Sequence, residues 1–427
     1  MIRKIILGLL GLIVIGAIGF FVFAPTIFER SVNRVESPPA ESGDSQASAS
    51  ANGDAATEAD RAMNRVSAEF LPPVSDEAIA LHKSLTIVDL HADTLLWKRN
   101  LLEDVDWGHV DLGRLQQGNV ALQIFSSVTK TPEDMNYDGN SGDSDQVTAL
   151  VIGQLQPMRT WNSLLERSLY HAEKLINASG ASEGELRTVQ SASDLRSLRS
   201  ARNGGTAPVG GLFSVEGLHN LEGDIANIDK LYAAGMRMAG LTHFFDNEIA
   251  GSAHGVEKGG LTDLGREAVD KMEDMGVIID LAHCSNACIA EVISMARRPV
   301  VTSHGGVQGT CPGNRNLTDK QIRGIAATGG VIGIGYWEGA VCDTSPAAIV
   351  RAMKYVRDLV GIDHIALGSD YDGTVLVRFD TAGLAHITQA LMDAGFSEED
   401  IRKVMGENAM RVIEQGIEPL VAAEETS

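Results

Sequence analysis

The chain contains 427 residues, 44% of them hydrophobic, and carries a formal net charge of −22 at neutral pH. This length accommodates one large domain or several ordinary ones, and the apolar content predicts a packed core. The negative charge argues against nucleic acid as a partner, because binding to nucleic acid requires a basic surface that displaces counterions.

Residues 1–35 have the pattern of a membrane anchor. Arg3 and Lys4 precede an uncharged apolar run, Ile5 to Ala24, which as a helix would be about 30 Å long and would cross the hydrocarbon core of a bilayer. A cleaved signal peptide is the alternative, but Pro25 directly follows the passable cleavage site. We predict an uncleaved transmembrane helix that leaves the rest of the chain outside the cytoplasm, in the periplasm or at the cell surface.

The segment that follows the apolar run is small and polar. Residues 36–61 are rich in Ser, Ala, Gly and acidic side chains, and they lack the bulky apolar residues needed to offset the entropy of ordering. We therefore predict a flexible linker over 36–61, a globular domain over 62–418 and a disordered tail over 419–427.

The domain alternates short apolar runs with amphipathic stretches, which is typical of parallel βα units. The second and third runs are separated by a long insertion, roughly residues 129–208. The predicted strands are Leu85–Leu90, Val120–Val128, Val209–Val215, Met236–Leu241, Val277–Leu281, Pro299–Thr302, Gly330–Tyr336 and His364–Gly368.

Eight such units predict an α/β fold, a (β/α)8 TIM-like barrel, with its active site at the C-terminal ends of the strands. A doubly wound open sheet is the competing architecture. It is disfavoured because polar residues end most of the predicted strands, whereas an open sheet concentrates its site at one switch point.

His91 and Asp93 stand at alternate positions at the end of the first strand, so their side chains face the same way. Pointing into a barrel mouth, both could bind one metal ion. The alternative is that Asp93 caps the helix that follows, since Asp is a favoured N-cap residue.

His283 and His304 end two consecutive predicted strands and would therefore be neighbours in the barrel. Three imidazoles at equivalent strand ends are poorly explained as isolated core histidines and favour a metal site. Glu216 ends the third strand, where its carboxylate could bridge two cations. Two adjacent metal ions would activate a water molecule and polarise a carbonyl group, which indicates a hydrolase.

Further polar residues complete this predicted site. Asp370 ends the eighth strand and could exchange protons with the water and the leaving group, with Asp372 as the alternative. His243 could stabilise a developing oxyanion or hold a substrate carbonyl. Arg315 lies on the loop after His304, and its guanidinium geometry suits a carboxylate.

The four cysteines form two pairs. Cys311 and Cys342 are the better candidates for a disulfide in an oxidising compartment. Cys284 and Cys288 are spaced to share one face of a helix, where they are either zinc ligands or, more commonly for a lone pair of this spacing, two packed small residues.

The domain resembles the membrane dipeptidase family, the renal dipeptidase type of zinc peptidase within the amidohydrolase superfamily, and it looks like a bacterial relative. The similarity covers about residues 84–415 and depends on motifs in family order, namely DLHAD, VEGLHN, LTHFFDN, GGLTDLG, GVIIDLAHCS, PVVTSHGG, NRN and GSDYDG.

The resemblance implies two Zn²⁺ ions per chain, a dipeptide substrate and a possible homodimer. One zinc ion would be bound by His91 and Asp93, and the second by His283 and His304, with Glu216 bridging the two. The other implied roles are substrate contact for His243, binding of the dipeptide carboxylate for Arg315, proton transfer for Asp370 and a place in the pocket wall for Tyr336.

Three functions follow from these observations. The leading hypothesis is zinc-dependent hydrolysis of dipeptides by a metal-bridged hydroxide, with tolerance of a D-residue at the C-terminal position left open. The second is another amidohydrolase reaction at the same site, such as deacylation of N-acyl amino acids or hydrolysis of a β-lactam or lactone. The third is a binding protein without turnover, which the retention of every expected ligand disfavours.

Overall fold

Eight parallel strands close into a barrel in the computed structural model, which describes residues 55–204 and 207–420. Each strand pairs with the next in chain order, and the last pairs with the first through Leu367 and Asp89. The barrel strands are β1 (Ile87–Ala92), β2 (Val120–Phe125), β3 (Val209–Glu216), β4 (Met236–Gly240), β5 (Ile278–Asp280), β6 (Val301–Thr302), β7 (Val331–Ile334) and β8 (Ile365–Leu367).

Helices surround the barrel and follow most of its strands. The helices Asp263–Met275, Asn286–Met295 and Asp319–Ala327 follow β4, β5 and β6. Their N-cap residues are Thr262, Ser285 and Thr318, and each N-cap hydroxyl oxygen accepts a backbone N–H of the first helical turn. The α-helices are Ala55–Met63, Asp76–Lys83, Leu112–Gln117, Val147–Gly153, Leu164–Ala181, Ala192–Asn203, Asn227–Ala233, Asp263–Met275, Asn286–Met295, Asp319–Ala327, Glu338–Val341, Pro346–Val360, Ala385–Asp393, Glu398–Arg402 and Asn408–Gly416.

The predicted TIM-like barrel is confirmed, and all eight predicted strands overlap an observed one. The observed strands are mostly shorter because several chain segments leave the hydrogen-bonded ladder before the polar residues at their ends. Every strand of the barrel is fully buried, as the apolar sequences predicted.

The long insertion between β2 and β3 is a folded part of the domain. It contains three helices and a short strand, Leu186–Thr188, which pairs with the start of β3. Arg167 anchors its first part, because the buried guanidinium donates to the Thr129 carbonyl at 2.6 Å and to Asp145 at 2.7 Å. The segment between these two contacts is thereby held over the C-terminal ends of the strands.

The N-terminal boundary differs from the sequence-based prediction. Helix Ala55–Met63 begins inside the predicted linker, and its i, i+3, i+4, i+7 positions Ala56, Ala59, Asp60 and Met63 are buried against the domain. The sequence does not show this spacing clearly, because Met63 is the only large apolar residue among these four positions. The predicted anchor over 1–35 lies outside the described residues, as does most of the predicted tail. None of the helices described is long and apolar enough to span a membrane.

Cys311 and Cys342 form a disulfide, as predicted, and connect the loop after β6 to the loop after β7. Cys284 and Cys288 are free, buried and adjacent, and they belong to the main apolar core. The interpretation as packed small residues is therefore confirmed for the second pair.

We predict that Cys342→Ser lowers the free energy of unfolding by about 3–4 kcal/mol, because the bond closes a loop with a sequence separation of 31 residues. Urea unfolding monitored by tryptophan fluorescence measures this loss. In the double variant Cys311→Ser/Cys342→Ser, the free energy of unfolding should fall by no more than in either single variant, since all three lack the same bond. A double variant that loses the sum of the two would contradict this account.

Candidate metal centre

The strand ends bring six polar side chains to one place at the mouth of the barrel. His91 lies at the end of β1 and Glu216 at the end of β3. The other four follow their strands by two or three residues, namely His243 after β4, His283 after β5, His304 after β6 and Asp370 after β8. The chain turns sharply at His283, whose φ of 63° is left-handed. Non-glycine residues with left-handed backbone conformation often occur at functional sites.

The carboxylate of Glu216 is the centre of this group. Its Oε1 atom lies 2.9 Å from His283 Nε2 and 3.3 Å from His304 Nε2, while its Oε2 atom lies 3.5 Å from His91 Nε2. The two histidines on the Oε1 side have their Nε2 atoms 3.1 Å apart. Glu216 thus offers one oxygen to each of two groups of ligand atoms.

His91 and Asp93 form the second group. The Nε2 atom of His91 lies 3.3 Å from Asp93 Oδ1, and both side chains are buried. Asp93 precedes a 3-10 turn but makes no capping hydrogen bond with its side chain. The alternative that Asp93 serves as a helix cap is therefore wrong.

Several atoms of the centre are buried without a hydrogen-bond partner, namely His91 Nε2, Asp93 Oδ1 and Glu216 Oε2. Orphaned buried polar atoms are rare and destabilising. All three point into the space shared by the ligand groups, and imidazole nitrogen and carboxylate oxygen are among the donors that bind divalent metal ions such as zinc. The residues present fit divalent metal ions. Overlapping clusters with metal-ligand spacing are His91–Asp93–Glu216, Glu216–His243–His283 and His91–Asp280–His304.

The pKa values of the centre reflect buried charges in mutual contact. Burial raises the pKa of Asp370 well above its usual range, and the neighbouring Asp93 and Glu216 carboxylates add to this despite His91 and Arg315. Burial disfavours protonation of His91, but Glu216 and Asp93 outweigh it and hold the pKa of His91 well above its ordinary value. The pKa values of His283 and His304 are lowered, first by burial. Neutral imidazoles are the form that binds metal ions.

Asp370 and Arg315 face the same space. An Asp370 carboxylate oxygen lies 3.9 Å from His91 Nε2. The guanidinium of Arg315 is buried and donates to the His304 carbonyl at 3.1 Å, and no carboxylate of the described chain forms an ion pair with it. Asp372, the predicted alternative to Asp370, is fully buried and pairs with Arg99, so it does not reach this space.

A cavity of about 760 Å³ opens above the centre. His243 lies in its wall, with its Nε2 atom 3.7 Å from Glu216 Oε1. Tyr336 does not line the cavity as predicted, because its buried ring packs against Tyr371 and Phe379. The adjacent Trp337 lines the cavity instead.

The insertion between β2 and β3 contributes a wall that the sequence did not indicate. Thr131, Met135 and Tyr137 line the cavity. The hydroxyl of Tyr137 accepts a hydrogen bond from Trp337 Nε1 at 3.1 Å, which joins the insertion to the loop after β7.

Sequence reasoning also missed a layer of residues beneath the ligands. The Ser303 hydroxyl donates to Asp280 Oδ2 at 2.5 Å and accepts from His304 Nδ1 at 2.8 Å, and it lies 3.3 Å from His91 Nδ1. His304 then has its proton on Nδ1, which leaves Nε2 free for a metal ion. The signal was the aspartate inside an apolar strand, Asp280 in VIIDLAH, which repeats the pattern of Asp89 in TIVDLHAD.

Together, the barrel and the cluster at its strand ends define a metal-dependent hydrolase of the (β/α)8 class. The sequence profile of the membrane dipeptidase family (peptidase family M19) matches residues 75–425. The chain therefore belongs to this family, and it is a metallo-dipeptidase, a hydrolase of peptide bonds.

Known proteins are similar to this chain in sequence and in fold. The chain is 28% identical over 366 residues to dipeptidase aclJ of Aspergillus oryzae, covering 78% of this chain and 80% of that protein. Its fold is similar to a metallopeptidase from Rhodobacter sphaeroides in complex with a phosphinate mimic of the dipeptide L-Ala-D-Ala, with a TM-score of 0.64, 22% identity, and coverage of 78% of this chain and 99% of that one. It is also similar to the probable dipeptidase PvdM of Pseudomonas aeruginosa, with a TM-score of 0.65, 21% identity, and coverage of 80% and 98%.

We predict that Ser303→Ala weakens the binding of a divalent metal ion by about 10- to 100-fold, because His304 loses the hydrogen bond that fixes its tautomer and ring orientation. Competition with a chromogenic chelator measures the affinity. Ser214→Ala is the matched control, since Ser214 is a buried serine of β3 whose hydroxyl has no hydrogen-bond partner. Equal metal affinities in the two variants would contradict a role for Ser303.

Proposed function

We propose that this protein hydrolyses dipeptides with a free C-terminal carboxylate, using two zinc ions held at the mouth of the barrel. His91 and Asp93 would bind one ion, His283 and His304 the other, and Glu216 would bridge them. The observation that carries the proposal is the position of the Glu216 carboxylate, which presents one oxygen to each ligand pair.

Bound zinc ions would supply an activated water molecule and a polarised peptide carbonyl. The remaining chemistry belongs to the protein. Asp370 faces the centre, where its carboxylate would take up a proton from the water and return it to the leaving amine. Because Asp370 lies near His91, this exchange would take place beside the ligand pair of the first metal ion.

Arg315 would determine the position of the substrate. A buried guanidinium without a carboxylate partner is destabilising in isolation, and it becomes favourable when an anion binds. The C-terminal carboxylate of a dipeptide is such an anion, and it can accept two parallel N–H groups from the guanidinium. Since Arg315 donates to the backbone of His304, the carboxylate would be fixed relative to the metal ligands.

His243 would bind the peptide carbonyl oxygen. It lines the cavity beside Glu216, and its Nδ1–H donates to the Lys130 carbonyl at 3.4 Å. In the imidazolium form its Nε2–H would also face the centre and stabilise charge that develops on the carbonyl oxygen.

We further propose that the enzyme accepts a D-residue at the C-terminal position. The cavity is large for a dipeptide, and the R. sphaeroides protein of similar fold holds a mimic of L-Ala-D-Ala.

The disulfide supports a location in an oxidising compartment, as expected if residues 1–35 anchor the domain outside the cytoplasm. The homodimer stays a prediction.

We predict that Arg315→Ala raises KM for free dipeptides by about 10- to 100-fold, because a charge-assisted hydrogen bond is lost. The same substitution should change KM for C-terminally amidated dipeptides far less. Steady-state kinetics on matched free and amidated substrates, with Arg315→Lys as the charge-retaining control, measures the difference. Equal effects on the two substrates would exclude Arg315 from carboxylate recognition.

A panel of L,L-dipeptides, L,D-dipeptides and N-acyl amino acids tests the proposed reaction itself. The zinc-loaded protein should hydrolyse both kinds of dipeptide and lose this activity when zinc is removed by chelation. Ninhydrin or coupled amino-acid detection gives kcat/KM for each substrate. Faster turnover of N-acyl amino acids than of any dipeptide would replace the proposed reaction with deacylation.

A further inference from the structure

The loop that presents Asp370 has an unusual backbone. We call residues 368–377, which follow β8, the β8 loop. Within it Asp370, Asp372 and Thr374 have φ values of 63°, 64° and 62°. Left-handed backbone is destabilising for non-glycine residues, and it persists only where surrounding contacts over-determine it. Three of them at alternate positions require strong anchoring.

Asp372 supplies part of that anchoring. Its carboxylate accepts hydrogen bonds from Thr94 Oγ1 and from the His109 backbone N–H, each at 2.7 Å, and forms an ion pair of 2.7 Å with Arg99 Nη2. Its own backbone N–H donates to His109 Nδ1 at 2.9 Å. The middle of the β8 loop is thus tied to the segment that follows β1.

The rest of the anchoring comes from the segment before the barrel. We call residues 55–70 the N-terminal arm; it comprises helix Ala55–Met63 and a strand, Arg65–Val66, that pairs with the end of the β8 loop. Asn64 Oδ1 accepts the backbone N–H of Thr374 at 3.0 Å, and Asn64 Nδ2 donates to Asp60 Oδ1 at 2.8 Å.

Asp60 connects the arm to Asp372 through a shared cation. The Asp60 Oδ2 atom lies 2.7 Å from Arg99 Nε, on the guanidinium that also pairs with Asp372. Asp60 and Asn64 are each 2% exposed. Removal of one buried partner leaves the remaining charge or backbone N–H uncompensated, so these contacts constrain the loop strongly.

The backbone of the β8 loop is packed closely against the carboxylates of the metal centre. A Cβ atom built on Gly373 would lie 2.4 Å from Asp370 Oδ1 and 2.8 Å from Asp93 Oδ2, so the loop backbone is packed directly against both carboxylates. A shift of the loop at Thr374 or Asp372 therefore displaces Asp370 relative to the metal ligands.

We propose that Asp60 and Asn64 of the N-terminal arm are positioning residues that hold Asp370 in its working geometry. The arm precedes residue 75, where the match to the membrane dipeptidase family begins. The inference rests on the proposed proton-transfer role of Asp370. If Asp370 is displaced, proton transfer slows, but Arg315 still binds the substrate carboxylate. We therefore expect kcat to fall and KM to stay nearly unchanged.

The test uses full-length, zinc-loaded protein and the variant Asn64→Ala. We expect kcat for a free dipeptide to fall by about 10- to 100-fold, with KM changed less than about twofold and zinc content unchanged. Arg61→Ala is the matched control, because Arg61 lies on the same helix but packs on Trp107 and pairs with Asp106. Its kcat should equal that of the unmodified protein. Unchanged kcat in Asn64→Ala, or an equal fall in both variants, would overturn the positioning role.

A double-mutant cycle with Asp370→Asn separates this inference from the proposed function. If Asn64 acts through Asp370, Asn64→Ala should lower kcat no further once Asp370 has been replaced. Additive losses would overturn the inference while leaving the role of Asp370 intact. Full activity of Asp370→Asn would instead contradict the proposed function, and with it the positioning of Asp370 by the arm.

Discussion

The rest of the centre depends on the shortest contacts of the Glu216 carboxylate, which are with three imidazoles. Glu216 ends β3, and the histidines it meets come from the ends of β1, β5 and β6. A closed parallel barrel is the arrangement that turns these distant chain positions towards one point. The buried carboxylates of Asp93 and Asp370 face the same space, and divalent cations there would stabilise their ionised forms.

The surroundings of the centre serve mainly to fix its groups. Ser303 and Asp280 lie beneath the histidines and set the orientation of His304, while the arm and Asp372 hold the loop of Asp370. Above the centre, the insertion between β2 and β3 closes one side of the cavity.

The sequence predicted the barrel and the ligand cluster because both follow from local patterns. Apolar runs that end in polar residues reveal the strands, and strand ends of a barrel necessarily meet. Tyr336 was misplaced because neighbouring residues point in different directions, so the tyrosine enters the core while Trp337 reaches the cavity. The contact of Asn64 with Thr374 joins positions 310 residues apart, and no local pattern reports such a pairing.

The central claim is that Glu216 bridges two zinc ions. Anomalous diffraction at the zinc absorption edge, from crystals of the zinc-loaded protein, tests it most directly. The account predicts two peaks, one beside His91 and Asp93 and one beside His283 and His304, each about 2.0–2.2 Å from a different oxygen of Glu216. A single peak, or two peaks of which one lies out of reach of Glu216, would contradict it.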